Sequence, residues 1–236
     1  MHTTARINAE LFFKTYVATD DTKGRRIVEI GSMDVNGSLR QFCPTGAEYI
    51  GVDFQPGPGV DEVLDNPYQL PFEDEWVDYC LASSVFEHSE MFWILFVEIL
   101  RVLKPGGLLY MQAPSNGAYH RFPLDCWRFY PDSGIALVHW AEASGYTPAL
   151  LESYTSMQQG ECWNDFVAVF LKDVDLIDAH RGRITNSHPG FANAMIYPSP
   201  NPIRMNWKTE DMLKIERLQE AAAGNSPVAE QQKRER

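Results

Sequence analysis

An α/β fold, with a mainly parallel sheet between helical layers, is what the sequence predicts, and three observations carry that expectation. Short apolar runs at 27–30, 48–53 and 79–82 end in glycine turns, carboxylates or serines. Helical runs follow at 90–103 and 134–144, the alternation that builds parallel sheets. Two more apolar runs, 149–154 and 166–172, are joined by a polar loop through Gly160 and are expected to pair antiparallel at the sheet edge. A chain of 236 residues can bury such a sheet in one domain.

Taken in order, residues 5–19 show helical spacing at Ile7, Leu11, Phe12 and Val17, which predicts a leading helix before a polar turn at 20–23. The stretch 27–40, IVEIGSMDVNGSLR, reads as a buried strand carrying Glu29 near its end, then a turn punctuated by Gly31 and Gly37. Those glycines let the backbone approach a ligand with no Cβ in the way. A helix starting near Ser38 is stopped early by Pro44 and Gly46. The second strand, EYIGVD, ends in Asp53, so Glu29 and Asp53 both belong to the carboxyl edge, where open sheets bind ligands. An acid there can accept both hydroxyls of a ribose. QPGPGVDEV holds too much proline and glycine to begin as helix. Asp65 then precedes the loop NPYQLPFEDEWVD, and Ser83, Ser84, Glu87 and His88 follow the strand 79–82 on the same ligand edge.

Helix 90–103 is apolar around most of its circumference, and Lys104-Pro105-Gly106-Gly107 is expected to end it with a sharp reversal into a strand at 108–112. The loop 115–131, SNGAYHRFPLDCWRFYP, is rich in aromatic and ionisable side chains and lies where an acceptor would meet a cofactor. Asp132 or Ser133 can cap helix 134–144, which Gly145 stops. Beyond Asp173 periodicity fades. Residues 184–207, with Pro189, Pro198, Pro200 and Pro202, are expected to form an extended arm; 209–223 reads as a capped helix, and 225–236 as disordered. The expected division is a domain over 1–175 and a C-terminal arm and helix over 176–236.

The net charge of −12 argues against a nucleic-acid partner, whose binding rests on clustered Lys and Arg. Cys43, Cys80, Cys126 and Cys162 are scattered and form no C-x-x-C pair, which predicts reduced thiols and a cytoplasmic protein. No apolar run reaches the ~18 residues of a membrane span, and no signal-peptide pattern opens the chain. No His and acid spacing in the sequence marks a metal site, so none is expected.

An acid-Gly turn, a strand-ending acid, Asp65 before LPFEDEWVD, ASSVFEH and EILRVLKPGGLLYMQAP follow one another in series over about residues 26–115. This series resembles the class I S-adenosylmethionine-dependent methyltransferases, in particular the type 11 group. The joint occurrence of LPFEDEWVD and LRVLKPGG at this spacing carries most of the resemblance. It implies a Rossmann-like seven-stranded mixed sheet, with a parallel core and a terminal antiparallel hairpin at 149–154 and 166–172, flanked by helices and followed by a C-terminal extension. It also implies S-adenosyl-L-methionine as cofactor and S-adenosyl-L-homocysteine as product. By position, Glu29 and Gly31 look like the first cofactor motif, with Ser32, Asn36 and Gly37 in its loop. Asp53, followed by Phe54, looks like the ribose acid; Asp65, followed by Asn66, like the acid near the adenine amine; Ser83 like a methionine-side contact. The sequence departs from the family where Met33 and Val35 replace glycines, which implies a longer loop that brings Asn36 or Gly37 to the cofactor's amino-acid end. The HRFPLDCWRFYP stretch is similar to segments of methyltransferases encoded with glycan and lipopolysaccharide assembly enzymes.

Methyl transfer from a sulfonium is an in-line displacement, so the protein must align the acceptor and exclude water. A hydroxyl acceptor also needs a base. His120 is the first candidate and His88 the second, because imidazole is poised to take a proton near neutral pH. Asp125 would orient the imidazole or hold a sugar hydroxyl, Arg128 would bind an acidic group on the acceptor, and Tyr119, Trp127, Phe129 and Tyr130 would wall a pyranose. The expected activity is O-methylation of a sugar or glycan-linked acceptor. Competing readings are N- or C-methylation of another small metabolite, and a non-catalytic S-adenosylmethionine-binding assembly protein whose C-terminal arm offers a surface for homo-oligomerisation. A nicotinamide-dependent sugar enzyme is argued against by the missing glycine fingerprint and the LKPGG turn.

Overall fold

The computed structural model describes residues 2–18, 22–199 and 201–223; the expected disorder at 225–236 and part of the turn at 20–23 lie outside them. Helix α1, Thr3–Phe12, is capped by His2, whose Nδ1 accepts the Ala5 N–H at 3.4 Å. It widens into a π-helical turn, Phe13–Val17, and so buries Phe12, Phe13, Tyr16 and Val17 together. Strand β1, Arg26–Ile30, then enters the core. The helix expected after it is one 3₁₀ turn, Leu39–Phe42, capped by the Ser38 hydroxyl. β2 is Glu48–Asp53, and a two-residue β3, Glu62–Val63, follows in the stretch where the sequence suggested only a turn.

β4, Val77–Ser83, leads through the ligand-edge turn to α2, Phe92–Val102, and β5, Leu103–Pro114. The helix gives way to strand at Leu103, ahead of the Lys104–Gly107 turn where the change was expected. Leu103 already pairs with Val77, and the irregularity that follows is absorbed at the glycines. A Cβ on Gly107 would meet the Lys104 and Asp78 carbonyl oxygens at 2.9 and 3.1 Å. The loop before β4 is tied to α2 by Arg101, which donates to the carbonyls of Leu70 and Phe72 at 3.1 and 2.9 Å and pairs with Asp74 at 2.7 Å. The two most recognisable sequence motifs are thus the two halves of one structural clamp.

α3, Asp132–Ala143, and the hairpin β6, Ala149–Ser156, and β7, Asp165–Leu171, complete the expected elements. A short helix α4, Ile184–Ser187, precedes β8, Phe191–Ile196. Among the described residues eight strands pair in the order β3-β2-β1-β4-β5-β7-β6-β8, parallel from β3 to β5 and antiparallel beyond. The mixed α/β sheet is the one expected, with one strand more than seven. The addition is β8, which lies where an extended arm was expected and pairs along β6 from Glu152↔Ile196 to Ser156↔Phe191.

Each sheet face has its own apolar core. α2 and α3 cover one, with Phe96 and Phe170 rings 4.9 Å apart; α1 covers the other, with Phe12 and Tyr110 rings 4.9 Å apart. Strand order reverses between β1 and β4, which opens the crevice where ligands bind in such sheets. This unit ends at Arg204. The second unit contains α5, Glu210–Ala222, capped by the Thr209 hydroxyl as expected; Met212, Ile215 and Leu218 are exposed on it.

Candidate active site

The strand ends assemble the expected cofactor residues along one edge. β1 ends into Gly31, whose φ of +71° suits glycine and whose added Cβ would stand 2.5 Å from Val85 Cγ2, in the turn after β4. On the other side, the Gly31 and Ser32 N–H groups donate to the Val52 carbonyl at 2.9 and 3.1 Å. Ser32 is buried, and its hydroxyl has no hydrogen-bond partner. Asn36 and Gly37 lie on the exposed part of this loop, where the Gly37 N–H donates to Asp34 at 2.7 Å.

Asp53 closes β2. Its Oδ2 accepts the Met33 N–H and its Oδ1 the Gln55 N–H, each at 3.2 Å, so one carboxylate ties the 31–37 loop to the 55–60 loop. Each oxygen keeps acceptor capacity. The residue is only 6% exposed, so using that capacity requires the 55–60 loop to move. One cross-bond from that loop is Asp34 N–H to the Pro58 carbonyl at 2.8 Å. Phe54 is exposed beside it, and Asp65 and Asn66 follow β3 at the next strand end, both exposed. Ser83 closes β4 and donates its hydroxyl to Gln112. Glu29 differs from its neighbours: it is buried, accepts the Tyr49 hydroxyl at 2.7 Å, and burial, opposed by Tyr49 and Arg40, pushes its carboxyl up to about 7.

These groups fit an adenosine-bearing cofactor on structural grounds. Two carboxylates at adjacent strand ends match hydroxyl and amine donors, an aromatic ring stands between them in sequence, and a buried serine hydroxyl lacks a partner. An apolar cavity of about 280 Å³, lined by Phe92, Trp93, Ser133, Ala136, Leu137 and Trp140, offers no charged group to such a cofactor.

Loop 115–131 brings the expected acceptor-side residues to the ends of β4 and β5. His120 and His88 stand edge to face with ring centroids 5.0 Å apart. His88 directs Nδ1 at the Leu124 carbonyl and His120 directs Nδ1 at the Ala118 carbonyl, 3.0 Å away. Asp125 accepts the His120 backbone N–H at 2.7 Å and is gripped by both Arg128 nitrogens at 2.5 and 2.9 Å. The Arg128 hydrogen bonds hold the Asp125 carboxyl down at about 2. Arg128 also donates to the Ala118 and Trp127 carbonyls, so it braces the loop rather than reaching outward for an acidic acceptor. Tyr119 is exposed; Trp127 donates to the Ser89 carbonyl and packs on Phe92 and Trp93. Phe129 is 2% exposed among Phe86, Phe92 and Phe166, which makes it core rather than part of a sugar wall.

Four further groups stand at this end: Glu87, expected on the ligand edge but given no role there, and Asp165, His2 and Trp163, which were not foreseen. Glu87 is 1% exposed, with Oε2 lacking a hydrogen-bond partner, and burial pushes its carboxyl up to about 8. Asp165, at the start of β7, is fully buried with neither oxygen hydrogen-bonded, and burial pushes its carboxyl up to about 8. His2 Nε2 lies 3.4 Å from Asp165, and burial depresses its pKa to about 4. Trp163 stacks on His2 and meets His120 edge to face, so the start of α1 and the β6–β7 loop help form the chamber. An acid at the head of an apolar strand reads as a strand boundary in sequence, and nothing local links it to His2.

Comparison with known proteins gives this geometry a family context. Residues 29–111 match the family described as Methyltransferase domain. An uncharacterized methyltransferase of Mycobacterium sp. (strain KMS) is 39% identical over 118 residues, 44% of this chain and 44% of that protein. One from Mycobacterium tuberculosis (strain ATCC 25618 / H37Rv) is 34% identical over 120 residues, 46% of each. The matching region thus spans less than half the length of these relatives. Among solved structures, Burkholderia thailandensis 1,6-didemethyltoxoflavin-N1-methyltransferase, with bound 1,6-didemethyltoxoflavin and S-adenosylhomocysteine, aligns with a TM-score of 0.54 at 13% identity, covering 72% of this chain and 79% of its own. The [4+2]-cyclase SpnF aligns with a TM-score of 0.51 at 16% identity, covering 72% and 82%. The shared feature is the fold; a cyclase among these neighbours shows that the fold alone does not fix the chemistry.

Proposed function

We propose that this chain, whose residues 29–111 match a methyltransferase domain, is an S-adenosylmethionine-dependent methyltransferase acting on a hydroxyl of a sugar or glycan-linked acceptor. The observation that carries the reading is the alignment of Asp53 and Asp65 at adjacent strand ends beside the Gly31 turn, on the side of the crevice opposite His88 and His120. Asp53 would hold the ribose, Asp65 and Asn66 the adenine amine, and Phe54 the adenine face. Gly31, Ser32, Asn36, Gly37 and Ser83 would hold the amino-acid end. S-adenosylmethionine, when bound, supplies a methyl group activated by its sulfonium.

The rest of the chemistry belongs to the chain. With Nδ1 of His120 donating to Ala118, Nε2 carries the lone pair that receives a hydroxyl proton. Asp125 positions that imidazole through its backbone, and Arg128 rigidifies the loop through Asp125. His2, Trp163 and the loop 115–131 close the chamber against water.

Calorimetric titration tests the cofactor half: S-adenosylhomocysteine binds with one-to-one stoichiometry, whereas heat from a nicotinamide cofactor alone contradicts the reading. Mass spectrometry of acceptors incubated with protein and S-adenosylmethionine tests the other half, and a 14 Da gain on a sugar oxygen is the expected product. Cofactor binding with no methylated product in glycan or metabolite extracts supports the assembly-protein reading instead. In that reading the exposed Met212, Ile215 and Leu218 of α5 are the surface for self-association, which light scattering reports as a dimeric mass.

A further inference from the structure

We propose that Glu87, His88 and His120 form a binding site for one divalent transition-metal ion at the acceptor end of the crevice. One nitrogen from each histidine and one Glu87 oxygen all lie within 4.8 Å of one another. His88 Nε2 is already 3.7 Å from Glu87 Oε1. Ligands about 2.1 Å from a common ion stand roughly 3.0–3.5 Å apart, so side-chain movements of about an ångström complete the site.

The tautomers favour this arrangement. Both rings present Nδ1 to a backbone carbonyl, His88 to Leu124 and His120 to Ala118. Each ring donates there and keeps its lone pair on Nε2, the outer-shell bond that orients and polarises metal-binding histidines. The carboxylate supplies a second, independent observation. Glu87 is 1% exposed, and its Oε2 has no hydrogen-bond partner, an expensive condition for a buried acceptor unless a cation faces it. Asp165, also buried and without a hydrogen-bond partner although His2 Nε2 is 3.4 Å away, is a second carboxyl group near this chamber. Arg128, the neighbouring cation, is neutralised by its two-pronged bond to Asp125.

Two imidazoles and one carboxylate select a borderline ion such as Mn²⁺, Fe²⁺, Co²⁺ or Zn²⁺ over Mg²⁺ or Ca²⁺, which prefer oxygen donors. Three protein ligands leave open positions for acceptor oxygens. This deepens the methyltransferase reading and rests on it for the ion's role, though not for its binding. Such an ion would lower the pKa of a bound acceptor hydroxyl, whose proton would pass to solvent; with its Nε2 lone pair on the metal, His120 would serve as a ligand in place of the general base.

The full chain, stripped with a chelator and dialysed, is titrated with Co²⁺ while its visible absorption is followed, and with Mn²⁺ and Zn²⁺ by calorimetry. The expected result is one ion per chain, with affinity at least about a hundred-fold lower in His120→Ala and in Glu87→Gln, more than loss of an outer-shell partner costs. His120 is half-buried and Glu87→Gln keeps shape, so unchanged melting of at least one variant identifies the loss as a ligand effect. No stoichiometric ion, or equal affinity in a folded variant, overturns the site. S-adenosylhomocysteine is titrated into the same samples: cofactor binding without the ion defeats only the metal site, and the ion without the cofactor defeats only the methyltransferase reading.

Discussion

Asp53→Asn separates a cofactor-binding acid from a structural pin. In the free protein the Asp53 carboxylate accepts the Met33 and Gln55 N–H groups, each at 3.2 Å. The substitution removes the charge and turns one acceptor into a donor, which then opposes a backbone donor. A hydrogen bond to a charged group is worth about 1.5–3 kcal/mol, so the folded state should lose about 2 kcal/mol. In a domain of this size that lowers Tm by roughly 4–8 °C. The ribose would lose an interaction of similar strength, and about 2–3 kcal/mol corresponds to roughly 30- to 150-fold weaker binding. Calorimetry with S-adenosylhomocysteine and thermal melting on the same sample read the two effects separately. A lower Tm with unchanged affinity would make Asp53 a loop pin with no cofactor role.

Other residues give sharper tests of single statements. Glu29 has a carboxyl pushed up from 4.5 to about 7 by burial, so its contribution to stability is full below pH 4.5 and is lost as pH rises through 7. The size is about 3 kcal/mol, and Glu29→Gln should flatten that part of the stability-against-pH curve in urea denaturation; an unaltered curve removes Glu29 as its source. Phe129→Ala should cost about 3–5 kcal/mol of folding stability, because the ring is core, and leave cofactor affinity intact in the folded protein. A small stability loss with weakened acceptor binding would return it to the sugar wall. Arg128→Ala frees the buttress of the 115–131 loop and should raise the acceptor KM by about ten-fold, roughly 1.4 kcal/mol, at unchanged cofactor Kd; unchanged KM would show that the loop needs no such brace.

Much of the sheet was legible because buried strands and their punctuation are local signals. Leu81 and Ala82 run unbroken into Ser83, and Ile27, Val28 and Ile30 into Gly31, so period and turn residue coincide. LPFEDEWVD and LRVLKPGG were recognisable together for a physical reason, since Arg101 clamps one to the other. β3 escaped notice because two exposed residues carry no periodicity. β8 escaped because Ala192, Asn193 and Ala194 are weak strand formers flanked by prolines, and pairing with β6 outweighs their propensity. At the site, acids ending strands were readable from sequence. The meeting of Asp165 and His2 beside Glu87 was not, because only the antiparallel return of β7 beside β5 brings Asp165 to Pro114 and the ligand edge. The Tyr49 hydroxyl that Glu29 accepts is a partner that only the pairing of β1 with β2 supplies.

The crystal structure of the protein soaked with S-adenosylhomocysteine tests the strand-end reading most directly. The expected density has ribose hydroxyls on Asp53, adenine beside Phe54 and Asp65, and the sulfur facing His88 and His120. Density elsewhere, with Asp53 still closed on Met33 and Gln55, would contradict it.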